Sequence, residues 1–223
     1  MANILTDQQK KAKAKQIAQA AWLLFQTKGF NQISMAEIAK QAGMSKGTLF
    51  NYYRNKEELF MMLLLVGYQD YFNDIYLSLQ HKPLTSVGDF REFLSLQNKC
   101  LINEHSALIR LNALRGPILE AKADLADTLI ERKHLYQISE RLSCLIAQQV
   151  PVLKVEMINH IFVVQSAIIS GLMNLSGLDR FDKRPTGQTL TDFEIDISQE
   201  ADLVLAGYLS KILPKGEEKD GTK

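Results

Sequence analysis

With 223 residues and 46% hydrophobic side chains, the chain can bury a sizeable core, which excludes a disordered protein and suits one small and one larger domain. A formal net charge of +1 gives no overall pull on nucleic acid, but the charge is unevenly spread. Residues 1–60 hold nine Lys and Arg against four Asp and Glu, a balance of +5, and the remainder holds seventeen against twenty-one, a balance of −4. A basic head on a mildly acidic body is the electrostatic footprint of a chain whose small part meets phosphates.

In chain order, Thr6 with Gln9 forms a capping box, and a helix is expected from about Asp7 to Lys28. Ile17, Ala20, Ala21, Leu24 and Phe25 mark its apolar side, and Trp22 is large enough to anchor the core of the small domain. Lys10, Lys11, Lys13 and Lys15 near its start are either a solvated helix face or a source of phosphate attraction without sequence discrimination. Gly29 closes the helix, and Phe30 and Ile33 tuck the loop back.

Ser34 to Tyr53, reading SMAEIAKQAGMSKGTLFNYY, is the stretch around which the chain is organised. Ser34 and Glu37 form a second capping box, Gly43 supplies the left-handed turn, and a second helix starts from Ser45. Ile38, Ala42, Met44 and Leu49 fall at apolar positions and Ala39 is small where two helices would cross, so the stretch predicts a helix-turn-helix. Outward on the second helix stand Lys46, Gly47, Thr48, Phe50, Asn51 and Tyr52, residue types that touch base edges and phosphates. Asn55 with Glu58 then caps a long helix from Lys56 towards Leu79, apolar at Leu59, Phe60, Leu63, Leu64, Tyr71 and Ile75.

Over about residues 10–65, in a first helix ending KGF followed by SMAEIAKQAGMSKGTLFNYYRNKEEL, the sequence resembles the TetR family of transcriptional regulators. The resemblance implies that Lys46, Gly47 and Phe50 face bases, and that Ser34, Thr48, Asn51, Tyr52 and Lys56 hold phosphates of a double-stranded DNA operator. Tyr53, usually a buried aromatic in the family, is assigned to the core. Phe50 stands where some members carry tyrosine, and Ala36 where some carry arginine, so the resemblance does not fix an operator sequence.

Beyond the long helix, HKPLTSVGDF is a connector, and Asp89 with Glu92 is expected to start the next helix. Further helices are expected over about Asp89–Asn103, His105–Leu114, Ala121–Val150, Val155–Leu178 and Ile195–Leu213, with a polar loop at 179–193 and a charged tail. No segment alternates persuasively as a strand. The expected fold is all α: an N-terminal three-helix helix-turn-helix DNA-binding domain over residues 1–55, and a larger C-terminal helical ligand-binding and dimerisation domain over 56–223.

In the family, two C-terminal helices of each subunit form a four-helix dimer interface, and the other helices of the larger domain enclose a small-molecule cavity. Phe162, Ser166, Ile169, Met173, Leu205, Tyr208 and Leu209 are the corresponding interface candidates here, burial within one subunit being the alternative. Phe93, Gln97, Leu108, Leu111, Tyr136 and Gln165 are candidates to line a cavity for a small-molecule effector, ordinary core being the alternative for each. Two helix-turn-helix heads related by a two-fold axis read half-sites about 34–36 Å or a multiple apart, so a homodimer on a palindrome is expected. Family precedent makes release by effector, and repression, the expected outcome.

Competing classes are a helical adaptor that binds only proteins and, further off, a helical metalloenzyme. Glu131 with His134 and Glu156 with His160 have spacings that place two ligands on one helical face, but only one Glu-x-x-His is present, so no metal site, no cofactor and no catalytic residue is assigned. Cys100 and Cys144 lie in apolar helical patterns and are expected to be buried small hydrophobes. The polar, basic N-terminus is not a signal peptide, and the apolar stretch Ile161–Leu178 is interrupted by Gln165, Ser166, Ser170, Gly171 and Asn174, so a cytoplasmic chain with no membrane span is expected.

Overall fold

Side-chain caps start the N-terminal helices. In the computed structural model, which describes residues 6–175 and 195–214, Thr6 caps α1 (Asp7–Thr27) in a complete capping box with Gln9. Ser34 does the same with Glu37 for α2 (Met35–Gln41), and the Ser45 side chain caps α3 (Lys46–Phe50) by accepting from the Thr48 N–H. Asn55 caps α4 (Lys56–His81) through the Glu58 N–H at 2.7 Å, but the Glu58 carboxylate accepts from the Arg54 N–H rather than that of Asn55. The later helices are α5 (Val87–Asn103), α6 (Ser106–Ala113), α7 (Leu125–Gln149), α8 (Val155–Leu175) and α9 (Ile197–Ile212), with a short π-helical turn at Arg115–Leu119. Every regular element among the described residues is helical, as expected of an all-α chain.

Several boundaries differ from expectation. α5 begins at Val87 because Ser86 is its cap, its side chain accepting from the Asp89 N–H. Asp89 instead turns back to accept from the Thr85 N–H and hydroxyl. The helix expected from Ala121 starts at Leu125, after Asp124 accepts from the Ala126 N–H. The expected polar loop at 179–193, the last turn before Leu178 and the charged tail lie outside the described residues.

The chain forms two compact units, one made of Met1–Gly67 with Leu114–Lys133 and the other of Tyr68–Ala113 with His134–Lys223. Phe60 is at the centre of the first, fully buried with Phe25 and Phe30 edge-on to it at ring-centroid distances of 5.4 and 5.2 Å. Trp22 is only partly buried. It stands about 100° round the helix from Ala21, off the face that carries Ile17, Ala21 and Phe25, so it does not anchor this core.

In the second unit, α8 packs on α5, α6 and α9, and α9 also packs on α5. Phe90, Leu94, Ile109, Leu111, Ile161, Ile169 and Leu205 are buried there. α8 is long and apolar enough to cross a membrane, yet Gln165 in its middle is buried and donates to Asn98 Oδ1 at 2.8 Å. Ile158, Ile161, Phe162, Gln165, Ile169 and Ser170 are the buried residues of this helix. Cys100 and Cys144 are free and only partly buried, so they are not the sequestered small hydrophobes expected from the sequence.

Candidate functional site

The first candidate site is built by the shortest elements. α2 ends where Gly43 takes φ +63°, the left-handed region that glycine enters without a Cβ penalty. The Met44 N–H donates back to Ala39 O at 2.9 Å, closing the turn. Leu49 is then fully buried on the inner side of α3, and the Gln16 amide donates to Ala42 O, holding the turn against α1. One buried side chain inward and a polar side outward follow directly from the helical period.

On that outer side Lys46, Gly47, Phe50 and Asn51 are exposed, and Thr48 and Tyr52 are partly exposed. Lys46 Nζ rests 5.7 Å from the centre of the Phe50 ring, which is 42% exposed. A Cβ on Gly47 would meet nothing nearer than Ser45 Oγ at 3.9 Å. The fold therefore does not require glycine at that position, and its missing side chain leaves the backbone open to an outside partner. Thr48 Oγ1 lies 2.8 Å from Ser45 Oγ, within the cap. Tyr53 lies inward: burial, with the charges of Glu58 and Glu131, pushes its hydroxyl up to about 12.

Two residues expected at phosphates also make contacts within the chain. Ser34 donates both its backbone N–H and its hydroxyl to Glu37 Oε2, at 2.9 and 3.0 Å. Glu37 is itself held by Lys28 Nζ at 2.9 Å, and these bonds bring its carboxyl down to about 2. Lys56 donates to Phe30 O at 2.7 Å and Ile33 O at 2.8 Å while resting 4.0 Å from the centre of the Phe30 ring. Two of its three ammonium protons thus tie the loop before α2 to the start of α4, and desolvation lowers its pKa.

A brace that no local pattern announces lies just after α3. Arg54 pairs with Asp124 at 3.2 Å and with Asp127 at 2.6 Å, Asn55 donates to Lys122 O, and Lys122 pairs with Glu57 at 3.0 Å. The hydrogen-bonded partners stand 65 to 70 residues apart and Asp127 stands further still, beyond the reach of any local pattern.

The second candidate site is a cavity of about 540 Å³ within the second unit, walled by α4, α5 and the turn to α6. Its apolar lining includes Tyr71, Ile75, Leu79, Phe93 and Leu96, and its polar lining includes Asp74, Lys82, Asp89, Glu92, Gln97, Cys100 and His105. The volume falls within the roughly 300–1,000 Å³ usual for small-molecule sites. Tyr71 donates to Gln97 Oε1 at 2.8 Å and stacks edge-on against His105 at 5.3 Å. Of the six residues expected to line a cavity, Phe93 and Gln97 do so. Leu108 and Leu111 are buried in the core, Gln165 is buried in its hydrogen bonds to Asn98 and Leu94 O, and Tyr136 is 63% exposed on α7.

The expected interface residues divide similarly. Phe162, Ile169, Leu205 and Leu209 are buried within the chain's own core, and Ser166 is bonded to Asn112 and lies 3.2 Å from the Tyr68 hydroxyl. Met173 and Tyr208 are partly exposed. The apolar surface left open on these helices lies a step round: Val163 and Leu175 on α8, and Leu203 and Val204 on α9.

A short helix presented beyond a tight glycine turn, with a basic and polar face turned outward, defines a helix-turn-helix protein of all-α architecture. Residues 17–62 match the model of the family described as bacterial regulatory proteins, tetR family. Among curated relatives, the fatty acid metabolism regulator protein of Bacillus subtilis is 40% identical over 55 residues, covering 25% of this chain and 28% of its own. The HTH-type transcriptional regulator YuxN of the same organism is 32% identical over 108 residues, covering 48% of this chain and 36% of its own. The chain thus spans about a third of the length of these relatives. A solved structure of the transcriptional regulator FadR from Bacillus subtilis in complex with stearoyl-CoA superposes over 89% of this chain and 98% of its own, with a TM-score of 0.54 and 19% identity. At that identity the likeness is one of fold.

Proposed function

We propose that the chain is a cytoplasmic transcriptional repressor that binds a palindromic operator as a homodimer and leaves it when a small molecule enters the cavity. The observation that carries this is the outer face of α3, where Lys46, Gly47, Phe50 and Asn51 stand exposed around a buried Leu49. Lysine donates to guanine O6 or N7, and an aromatic face lies against a thymine methyl. Thr48 and Tyr52 flank them as phosphate contacts. Lys46→Ala is expected to cost about 1–3 kcal/mol of specific binding.

Val163, Leu175, Leu203 and Val204 mark the face for a second copy. The cavity takes the effector, and FadR of Bacillus subtilis, with its stearoyl-CoA, supports an apolar ligand body. Its lining here includes three carboxylates, Asp74, Asp89 and Glu92, against the one lysine, Lys82. That balance suits a neutral or cationic polar end better than a polyphosphate. An effector that moves occupancy from nearly all bound to nearly all free must discriminate between two states by about 5 kcal/mol. The relatives that share the matched segment are regulators rather than enzymes.

Selection from randomised duplex DNA, repeated with Lys46→Ala at several salt concentrations, tests the proposal. Enrichment of a palindrome whose binding weakens with salt, and weakens further in the variant, is the expected result. Binding that enriches no sequence and ignores the substitution would return the protein-binding adaptor to the front.

A further inference from the structure

Cys100 closes the last turn of α5, Glu104 follows it as the helix cap, and His105 leads into α6. Their thiol sulfur, a carboxylate oxygen and an imidazole nitrogen all lie within 4.8 Å of one another. We propose that these three side chains form a site for a divalent cation of the zinc type, set in the wall of the cavity.

Local geometry brings them together. Cys100 and Glu104 are four apart on α5, so they share a face, and Sγ lies 3.8 Å from Glu104 Oε2. The backbone N–H groups of both Glu104 and His105 donate to Cys100 O, at 2.8 and 3.2 Å. That bifurcated closure curls the chain so that the His105 ring returns beside the cysteine, and the Tyr71 ring, its centre 5.3 Å from that of the imidazole, buttresses it.

The donor set selects the metal. Tetrahedral zinc with Zn–S near 2.3 Å and Zn–N or Zn–O near 2.1 Å places its ligand atoms about 3.4–3.6 Å apart. The observed spacings need only small rotamer movements to reach that. One soft sulfur, one imidazole and one carboxylate suit zinc better than calcium or magnesium, which take oxygen ligands. Three protein ligands leave a fourth position for water or for a donor atom of a second ligand, the arrangement of open zinc sites. Because Cys100 and His105 both line the cavity, the ion would sit at its wall.

Binding converts the Cys100 thiol to a thiolate, and the proton goes to solvent, so affinity rises with pH. None of the sequence-level pairs, Glu131 with His134 or Glu156 with His160, enters such a cluster among the described residues. Cys100 was legible only as an apolar helix position.

Cobalt(II) titrated into the reduced, chelator-treated full chain without DNA tests the site directly. One equivalent is expected to give a thiolate-to-cobalt absorption band that zinc then displaces. Cys100→Ser should abolish the band, and Cys144→Ser should leave it intact. Glu104→Gln and His105→Gln should each raise the dissociation constant about tenfold or more, since even outer-shell partners contribute 10–100-fold. A missing band, or one that survives Cys100→Ser or disappears in Cys144→Ser, would overturn the site. The measurement is independent of operator binding, so failure of either proposal leaves the other standing.

Discussion

The helix-turn-helix unit and the cavity-bearing unit employ the same polar residue types at opposite range. In the first, Ser34 meets Glu37, Ser45 meets Thr48 and Asn55 meets Glu58, each three residues apart. In the second, Asn112 reaches Ser166 across 54 residues, Gln165 reaches Asn98 across 67, and Asn98 and Ser95 reach Asp202 across 104 and 107. Short-range bonds fix where each helix begins; long-range bonds fix which helices lie side by side. The head can thus acquire its local form with little help, whereas the larger unit depends on buried polar contacts that exist only once its helices have packed.

The largest effect should come from Asn98, which is 1% exposed and joins three helices by accepting from Gln165 and donating to Asp202 Oδ1 at 3.0 Å. Asn98→Leu keeps much of the volume but removes a donor to a carboxylate, and a loss of about 2–3 kcal/mol is expected for a hydrogen bond to a charged group. Denaturant unfolding reads it out. A loss under half a kcal/mol would show that packing alone orders α5, α8 and α9, and the contrast between the units would collapse.

Lys56, like Gln16 and the brace from Arg54, departs from that pattern in the head, because its partners Phe30 O and Ile33 O lie 26 and 23 residues away. Lys56→Met retains the aliphatic stem and strands two carbonyls, and a destabilisation of about 1–2 kcal/mol follows from partly buried acceptors left unpaired. The salt dependence of the remaining DNA binding should stay unchanged. Unchanged stability with a salt slope reduced by about one would instead mark Lys56 as a phosphate ligand.

Range also explains what the sequence could reveal. The boxes at Thr6 and Ser34, the turn at Gly43 and the outward set on α3 were legible because each is decided within a few residues. The brace from Arg54 to Asp124 and Asp127 was not, nor was the share of Leu114–Lys133 in the first unit, since charged residues 70 apart carry no periodic signal. In the second unit, helical periodicity marked Leu108, Leu111, Ile169 and Leu205 as apolar without saying whether core, cavity or partner would cover them. Cys100 and His105 could be placed on the cavity wall only after the α5–α6 turn had closed. Trp22 misled for a related reason: size suggested an anchor, while its angular position on α1 excluded it.

The smallest effect, and the sharpest test of short-range order, concerns Glu37. Its carboxyl is lowered from an ordinary 4.5 to about 2, first by the hydrogen bond from Lys28 and then by those from Ser34. A carboxylate with a depressed folded-state pKa contributes stability that is complete above its unfolded value and vanishes as pH falls through the folded one. Glu37→Gln retains an oxygen that can accept from the Ser34 N–H, since glutamine also completes a capping box, and removes only the charge that Lys28 meets. The variant should therefore unfold more easily than the wild type at pH 7. The gap should begin to narrow below about pH 4.5 and close near pH 2, and added salt should narrow it at neutral pH because the pair is solvent-accessible. Unfolding midpoints measured in parallel from pH 7 to pH 2 decide the matter. A gap that stays constant over that range would mean that the shape of the capping box, rather than its charge, sets the start of α2.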